Sequence, residues 1–244
     1  MNIVKLGGSI INPDGRYDHK FMAKLMDIVK GSGEHFIFVV GGGKLCRKVQ
    51  AAAKPFLEEA LTANERISYA NDWLGIAVTK INAGYILEEF KEQLSSEVYP
   101  EIIIDPTKKI KSSARIYFAG GWKPGCSTDK DMVLLAETYG AKKMVKVTDV
   151  EYVKKINPVR FSRLSELEKK KAWAEAKDIQ EMSWKQLIDL TGTEWKPGLN
   201  TPFDPQAAEL GYQLRKQVRL LLGRKEELRK MLTGERFKGT MVKG

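Results

Sequence analysis

The residues in this chain best suited to chemistry lie in three glycine-rich turns, each directly after an apolar run. They are Gly7-Gly8-Ser9, Gly41-Gly42-Gly43, and Gly120-Gly121 leading into Pro124-Gly125-Cys126-Ser127-Thr128-Asp129. A glycine turn at the end of a strand lets phosphate oxygens approach backbone N–H groups without interference from a Cβ. A helix that starts there adds its positive N-terminus at the same place. Lys5, Lys44, Arg47, Ser127 and Thr128 stand beside these turns as cations and hydroxyl donors. A single such turn is equally well explained as a tight strand-to-helix connection. Three of them, with cations at each, point to phosphate binding. Neither G-x-x-x-x-G-K-[ST] nor G-x-G-x-x-G occurs in the sequence, which excludes a P-loop kinase and leaves a Rossmann dinucleotide site unsupported. Nucleophilic hydrolysis is poorly served. His19 and His35 are the only histidines, one at a charged helix start and one opening a buried strand, and no histidine stands ready to activate Cys126.

Positioning these turns requires alternating strands and helices. Strands are expected at Asn2 to Leu6, His35 to Val40, Glu101 to Ile104, Ala114 to Phe118 and Lys143 to Val147. Helices are expected at Tyr17 to Val29, Lys44 to Ala53, Asn71 to Leu94 and Thr128 to Tyr139, where apolar residues recur with helical period. This alternation is the pattern of an α/β domain with a largely parallel central sheet. The second half is less regular. Val153 to Pro158 reads as a turn or short hairpin, Ser165 to Lys177 as a charged, helix-prone surface excursion, and Trp184 to Thr191 as a short helix before the loop from Trp195 to Pro202. Asp204-Pro205 opens a helix, since an acidic cap followed by proline is a strong start signal. Val218 to Leu222 and Thr240 to Val242 read as strands, with a helix at Lys225 to Leu232 between them. Without repeats or a flexible linker, two lobes sharing one sheet are expected within a single domain, 1–140 and 141–244.

A chain of 244 residues with 43% apolar and 30% charged residues can bury a substantial core. No apolar run approaches the ~20 residues needed to span a bilayer, and MNIVKLGGSI reads as a strand and turn rather than a targeting signal. Two cysteines, Cys46 and Cys126, are too few for a disulfide framework and lack metal-ligand spacing. A reducing, cytoplasmic setting is therefore expected. The net charge is +10. Between Gln213 and Gly244, ten Lys/Arg against three Glu leave +7. A solvated helix face explains this tail better than a nucleic-acid surface, because no aromatic platform interleaves with the charges.

The ordered motifs resemble the amino-acid kinase family, and within it the archaeal-type uridylate kinases. Lys5-Leu6-Gly7-Gly8-Ser9 looks like the family's opening K-x-G-G-S, and Val39 to Arg47 is similar to its second glycine loop. Asp72-Trp73-Leu74-Gly75-Ile76-Ala77-Val78-Thr79 resembles a D-x-x-G-I-x-x-T helix, and Pro124 to Asp129 a P-G-x-[ST]-T-D loop. Thr148 to Val153 resembles the T-[ND]-V-D-x-V nucleotide turn, Asp204-Pro205-Gln206-Ala207-Ala208 a D-P-x-A-A helix start, and Gly239-Thr240 a terminal G-T strand.

The resemblance implies a three-layer α/β sandwich that transfers the γ-phosphoryl group of ATP to UMP, with Mg²⁺ accompanying ATP and no dedicated metal ligands. It implies catalytic roles for Lys5, Asp129 and Asp204. ATP contacts would come from Gly7, Gly8, Ser9, Gly43, Arg47, Thr148, Lys154 and Asn157. UMP contacts would come from Gly41, Gly42, Asp72, Gly75, Trp122, Lys123, Pro124, Gly125, Cys126, Ser127 and Thr128. It also implies a homo-oligomer, a hexamer by family precedent, with no membrane or nucleic-acid partner. An N-cap role alone would account for Asp204, and a helix-start role for Asp129. Lys154 and Asn157 stand where the family has Tyr and Asp, and Trp122-Lys123 where the archaeal pattern has Thr and His. Rival readings are isopentenyl phosphate kinase, a non-catalytic nucleotide-binding or storage protein on the same scaffold, and an RNA-associated protein using the basic tail.

Overall fold

The computed structural model describes residues 1–13, 15–192 and 201–244. In chain order the first half comprises β1 (Asn2–Leu6), α1 (Gly8–Ile11), α2 (His19–Ser32), β2 (Phe36–Val40), α3 (Gly43–Ala60), α4 (Asn64–Leu94), β3 (Val98–Ile103), β4 (Ile116–Ala119), α5 (Thr128–Tyr139) and β5 (Lys143–Thr148). The second half comprises β6 (Val153–Lys154), α6 (Pro158–Ser162), α7 (Glu166–Glu175), β7 (Asp178–Ile179), β8 (Glu181–Ser183), α8 (Trp184–Thr191), α9 (Pro205–Gln213), β9 (Arg219–Arg224), α10 (Leu228–Thr233) and β10 (Gly239–Lys243).

Among the described residues, eight strands form one sheet in the order β3-β4-β2-β1-β5-β9-β10-β8, parallel except where β10 runs antiparallel to β9. The central strands are apolar on both faces, as a sheet covered by helices on both sides requires. The two-residue period of the strands sorts them into two cores. Val4, Phe36, Phe38 and Phe118 pack with Phe21 and Leu25 of α2, Phe90 of α4 and Met231 of α10. Ile3, Ile37, Val39 and Met144 pack on the other face with Met132 and Leu135 of α5, Leu187 of α8 and Ala207 of α9. The result is helix, sheet, helix: the three-layer α/β fold expected from the sequence.

Several boundaries differ from expectation. Gly7-Gly8-Ser9 runs directly into the single turn α1 rather than an open loop. Helix α3 continues seven residues past Ala53, through Pro55, and α4 starts at Asn64 rather than Asn71. Both extensions belong to a helical hairpin whose residues 54–60 and 64–70 are mostly exposed, so no burial marks where the helices continue. The expected hairpin at 153–158 is instead a two-stranded ladder, β6 with β7, closed by the whole 155–177 excursion. The loop from Trp195 to Asn200 lies outside the described residues.

Candidate functional site

Strand β1 lies mid-sheet with β2 on one side and β5 on the other. Chain direction diverges there, and the crevice beyond the carboxyl ends of such strands is where open α/β sheets hold ligands. Gly7, Gly41 and Gly120 follow β1, β2 and β4 at this edge. The first two turns touch so closely that a Cβ on Gly8 would sit 2.2 Å from the Gly43 backbone nitrogen, and Gly43 itself has φ +62°. Two backbones can meet in this way only without side chains. Asn82, fully buried on α4, donates to the carbonyls of Gly41 (2.9 Å) and Gly42 (3.3 Å) and accepts from the Tyr17 hydroxyl. Thr79 Oγ1, one turn earlier, accepts from Gly121 N–H at 2.7 Å and ties the third turn to the same helix.

Beside this junction lies a buried ionic cluster. Lys5 and Lys146 are register partners on β1 and β5 and share the sheet face that carries Ile3 and Met144. Asp129, on the second residue of α5, receives both ammonium groups: Lys5 Nζ on Oδ1 at 2.5 Å and Lys146 Nζ on Oδ2 at 2.9 Å. Its Oδ2 also accepts from the backbone N–H of Asp204 at 3.1 Å, and Lys146 donates to the Pro202 carbonyl at 2.8 Å. Burial pushes the Asp129 carboxyl upward, but the charges of Lys146 and Lys5 override it and hold it down at about 2. Burial lowers Lys146, with Asp129 opposing and Lys5 adding to the shift. Two ammoniums share one carboxylate in a desolvated place, and the carboxylate of Asp204 also acts on Lys146.

Two cavities flank the cluster. One is lined by Lys5, Gly7, Ser9, Lys146, Thr148 and Pro202 at a polar end and by Val153, Ile156, Phe161, Trp173 and Leu190 at an apolar end. The other is lined by Asp72, Gly75, Thr79, Gly121, Lys123, Gly125, Cys126, Ser127, Thr128 and Asp204. The cluster touches both: Lys5, Lys146 and Pro202 line the first, and Asp204, whose N–H donates to Asp129 Oδ2, lines the second.

The sequence pattern of the amino acid kinase family matches residues 1–220. A uridylate kinase of Pyrococcus abyssi is 32% identical over 93% of this chain and 92% of its own length. One from Thermococcus sibiricus is 29% identical over 98% of both chains. Among solved structures, the uridylate kinase of Archaeoglobus fulgidus superposes with a TM-score of 0.74 at 23% identity, over 99% of both chains. The UMP kinase of Bacillus anthracis does so at 0.70 and 15% identity, covering 99% of this chain and 95% of its own. The chain belongs to the amino acid kinase family.

In this amino acid kinase the expected donor residues divide. Gly7, Ser9, Thr148 and Lys154 line the first cavity, whereas Gly8 and Gly43 build the junction beneath it. Arg47 is exposed on α3 outside both cavities. Lys154 is held by Asp178 at 2.6 Å and by the Ala176 carbonyl. Asn157 caps α6 by accepting from Arg160 N–H at 3.0 Å, and the structure does not bring it to the cavity. Of the acceptor residues, Asp72, Gly75, Lys123, Gly125, Cys126, Ser127 and Thr128 line the second cavity. Asp72 Oδ2 accepts from Gly125 N–H at 2.9 Å and so holds the 124–128 loop closed. Gly41 and Gly42 lie in the junction. Trp122 and Pro124 stay outside the lining, Trp122 being covered by the Lys123 ammonium at 3.8 Å. Asp204 caps α9 through Ala207 N–H while lining the second cavity, so one residue does both.

Sequence reasoning missed Lys146 and Asn82. A lysine inside the otherwise apolar run from Met144 to Val147 was the available signal for the first, because a charge mid-strand in a buried sheet needs a partner. Asn82 gave none beyond being polar on the apolar side of α4. Asp131 was missed too. It is buried, accepts from Trp122 N–H at 3.2 Å and from the Cys126 thiol at 3.1 Å, and burial raises it to about 6.

Proposed function

We propose that this chain is an ATP:UMP phosphotransferase, in which residues 141–244 supply most of the ATP lobe and residues 1–140 most of the UMP lobe. The observation that carries this reading is the Lys5–Asp129–Lys146 cluster, which meets one cavity through its two lysines and the other through Asp204, bonded to Asp129. One cavity has a polar end and an apolar end, as a nucleotide does, and the other is rimmed by hydroxyls and backbone N–H groups. The near-full-length relatives named uridylate kinase support UMP as the acceptor.

Phosphoryl transfer between two nucleotides asks little covalent chemistry of a protein. The acceptor phosphate has a second pKa of about 6 and is already anionic near neutrality, so no strong general base is needed. The task is to align two mutually repelling phosphates and offset the charge of the transition state. Asp129 fixes both ammoniums at the reaction wall, Lys5 and Lys146 neutralise the transferring group, and Gly7 presents its backbone there. Ser127 Oγ caps α5 through Lys130 N–H, which holds the helix start and Thr128 towards the acceptor phosphate. Asp72 holds the loop against the acceptor sugar. Mg²⁺ accompanies ATP. When bound it would offset phosphate charge, and Asp204, one of the two carboxylates lining the second cavity with Asp72, would supply the hard oxygen donor it prefers.

Self-association is part of the proposal. Helix α3 buries none of its residues, although its apolar residues follow helical period. Phe56 (71% exposed) and Trp73 (43% exposed) stand out on the α3–α4 hairpin. Covering that face with a second copy is the first step towards the hexamer of family precedent, and Phe56→Glu should reduce the sedimenting mass. Among the described residues no helix is long and apolar enough to cross a membrane. The two free thiols fit the reducing setting of a cytoplasm.

The deciding experiment is a coupled assay of ATP consumption with UMP, CMP, GMP, AMP and isopentenyl phosphate. UDP formation with UMP as the best acceptor is expected. Turnover with isopentenyl phosphate alone, or with no acceptor, rejects the reading.

A further inference from the structure

We infer that the excursion between β6 and β7 supplies the aromatic wall against which the donor base stacks, with Trp173 of α7 and Phe161 of α6 as its rings. The inference rests on the ATP:UMP kinase reading and names the residues that select the donor.

Position 154 carries a lysine, and that lysine is spent elsewhere. Its ammonium is paired with Asp178 at 2.6 Å and sits 6.0 Å from the Trp173 ring centre. It therefore offers the cavity neither a ring nor a free charge. Apolar surface at that end comes from the excursion instead. Phe161 and Trp173 pack against each other with ring centres 6.0 Å apart and planes at 52°, and both line the donor cavity. Trp173 nevertheless stays 38% exposed. A tryptophan anchored by a second ring, with a cation near its face and open area in a cleft, presents a surface for a flat ligand.

Local structure fixes this wall independently of any ligand. Ser165 and Glu168 form a reciprocal capping box that starts α7, and Asn157 caps α6. The β6–β7 ladder and the bond from Lys155 N–H to the Lys177 carbonyl close the base of the excursion. The cation end, with Lys5 and Lys146, and the ring end lie on one cavity. A ligand filling both is anionic at one end and aromatic at the other. Stacking grows with π-surface, so the wall favours purine over pyrimidine triphosphates.

The test uses the full chain with UMP saturating and ATP or CTP as the varied donor. Trp173→Ala should raise KM for ATP about tenfold, leave KM for UMP within about twofold, and bring the ATP-over-CTP preference close to one. Trp173→Phe should restore most of that preference. If Trp173 only supports the excursion, its loss will weaken ATP and CTP alike, and an unchanged preference overturns the inference. Should the alanine variant fail to fold, Trp173→Leu keeps apolar volume without a ring and gives the same readout. Quenching of tryptophan fluorescence by ATP separates the two levels of the argument. Quenching that disappears in Trp173→Phe supports the wall even in a chain that does not phosphorylate UMP. Turnover with ATP whose quenching survives that substitution overturns the wall and leaves the kinase reading standing.

Discussion

The two ends of the cavity proposed for the donor are built by different means. At the phosphate end, backbones meet: Gly8 on Gly43, with Asn82 and Thr79 holding the turns from below. At the base end, side chains of an exposed excursion meet: Phe161, Trp173 and the Lys154–Asp178 pair. A site made of close backbone contacts admits only glycine at the contact, so its residues are dictated. A wall made of side chains needs only a flat apolar surface, which many residues in many loops can provide. The first kind of site is written in sequence as a motif, and the second is not.

The largest effect should come from breaking the backbone contact. Gly8→Ala places a Cβ 2.2 Å from Gly43 N and 2.5 Å from Gly42 C, against backbone that cannot turn aside as a side chain would. Urea denaturation should show a loss of about 3 kcal/mol or more, at or beyond the upper end of ordinary overpacking, and activity should disappear. Gly31→Ala in α2 meets nothing within 4 Å, and should instead stabilise by about 0.5–1 kcal/mol. If Gly8→Ala is as mild as Gly31→Ala, the junction is not the rigid element argued here.

Next in size is the charge cluster. Asp129→Asn leaves Lys5 and Lys146 without their shared carboxylate, so kcat should fall about 10²- to 10³-fold, the usual cost of losing a preorganised electrostatic group. KM for UMP should change far less, because Asp129 does not line the acceptor cavity. Steady-state kinetics on both substrates checks this, and an unchanged kcat would remove the cluster from catalysis. A smaller and opposite split is expected on the acceptor side. Asp72→Asn keeps an oxygen that can accept from Gly125 N–H but loses the negative charge. KM for UMP should therefore rise about tenfold while KM for ATP stays within about twofold. Equal changes in both would make Asp72 a loop clasp only.

The same contrast explains how much of the molecule was legible beforehand. The layers and the parallel sheet followed from apolar runs alternating with helical periods. Lys5 and Asp129 followed from motifs fixed by backbone geometry. Lys146 did not: a charge inside a buried strand signals the need for a partner, but the pairing of Lys5 with Lys146 across β1 and β5 is set by a register between distant strands that no local pattern states. Residues 165–177 read as a surface excursion because they are charged and helix-prone, and α7 buries none of its residues. Nothing in its charged sequence says that Trp173 faces a cavity. Asn157 misled in the other direction: aligned to a ligand position, it caps a helix, since Asn before proline is also a strong start signal.

The smallest effect concerns ionisable groups, and it sharpens the contrast between a buried acceptor side and an exposed excursion. Asp131 is buried beneath the acceptor loop and titrates at about 6. An ordinary aspartate, as in the unfolded chain, titrates near 3.9. Between those values the native state holds a proton that the unfolded state has released, so this group makes stability fall as pH rises, and above about 6 the penalty is complete. Asparagine has no such step. Any fixed cost of burying its NH₂ group is the same at every pH. Relative to the parent, Asp131→Asn should therefore gain on the order of 1 kcal/mol between pH 5 and pH 7.5, measured as the difference in urea unfolding free energy at each pH. Asp178→Asn removes the half-exposed pair with Lys154, and should cost less than about 1 kcal/mol, as exposed pairs do. A flat difference for Asp131→Asn across that range would mean that the carboxylate stays ionised beside Trp122 N–H and the Cys126 thiol. The acceptor loop would then be anchored by a charge, and Cys126, raised to about 12 by burial and by that neighbouring carboxylate, would remain the slow thiol of the pair under alkylation at every pH tested.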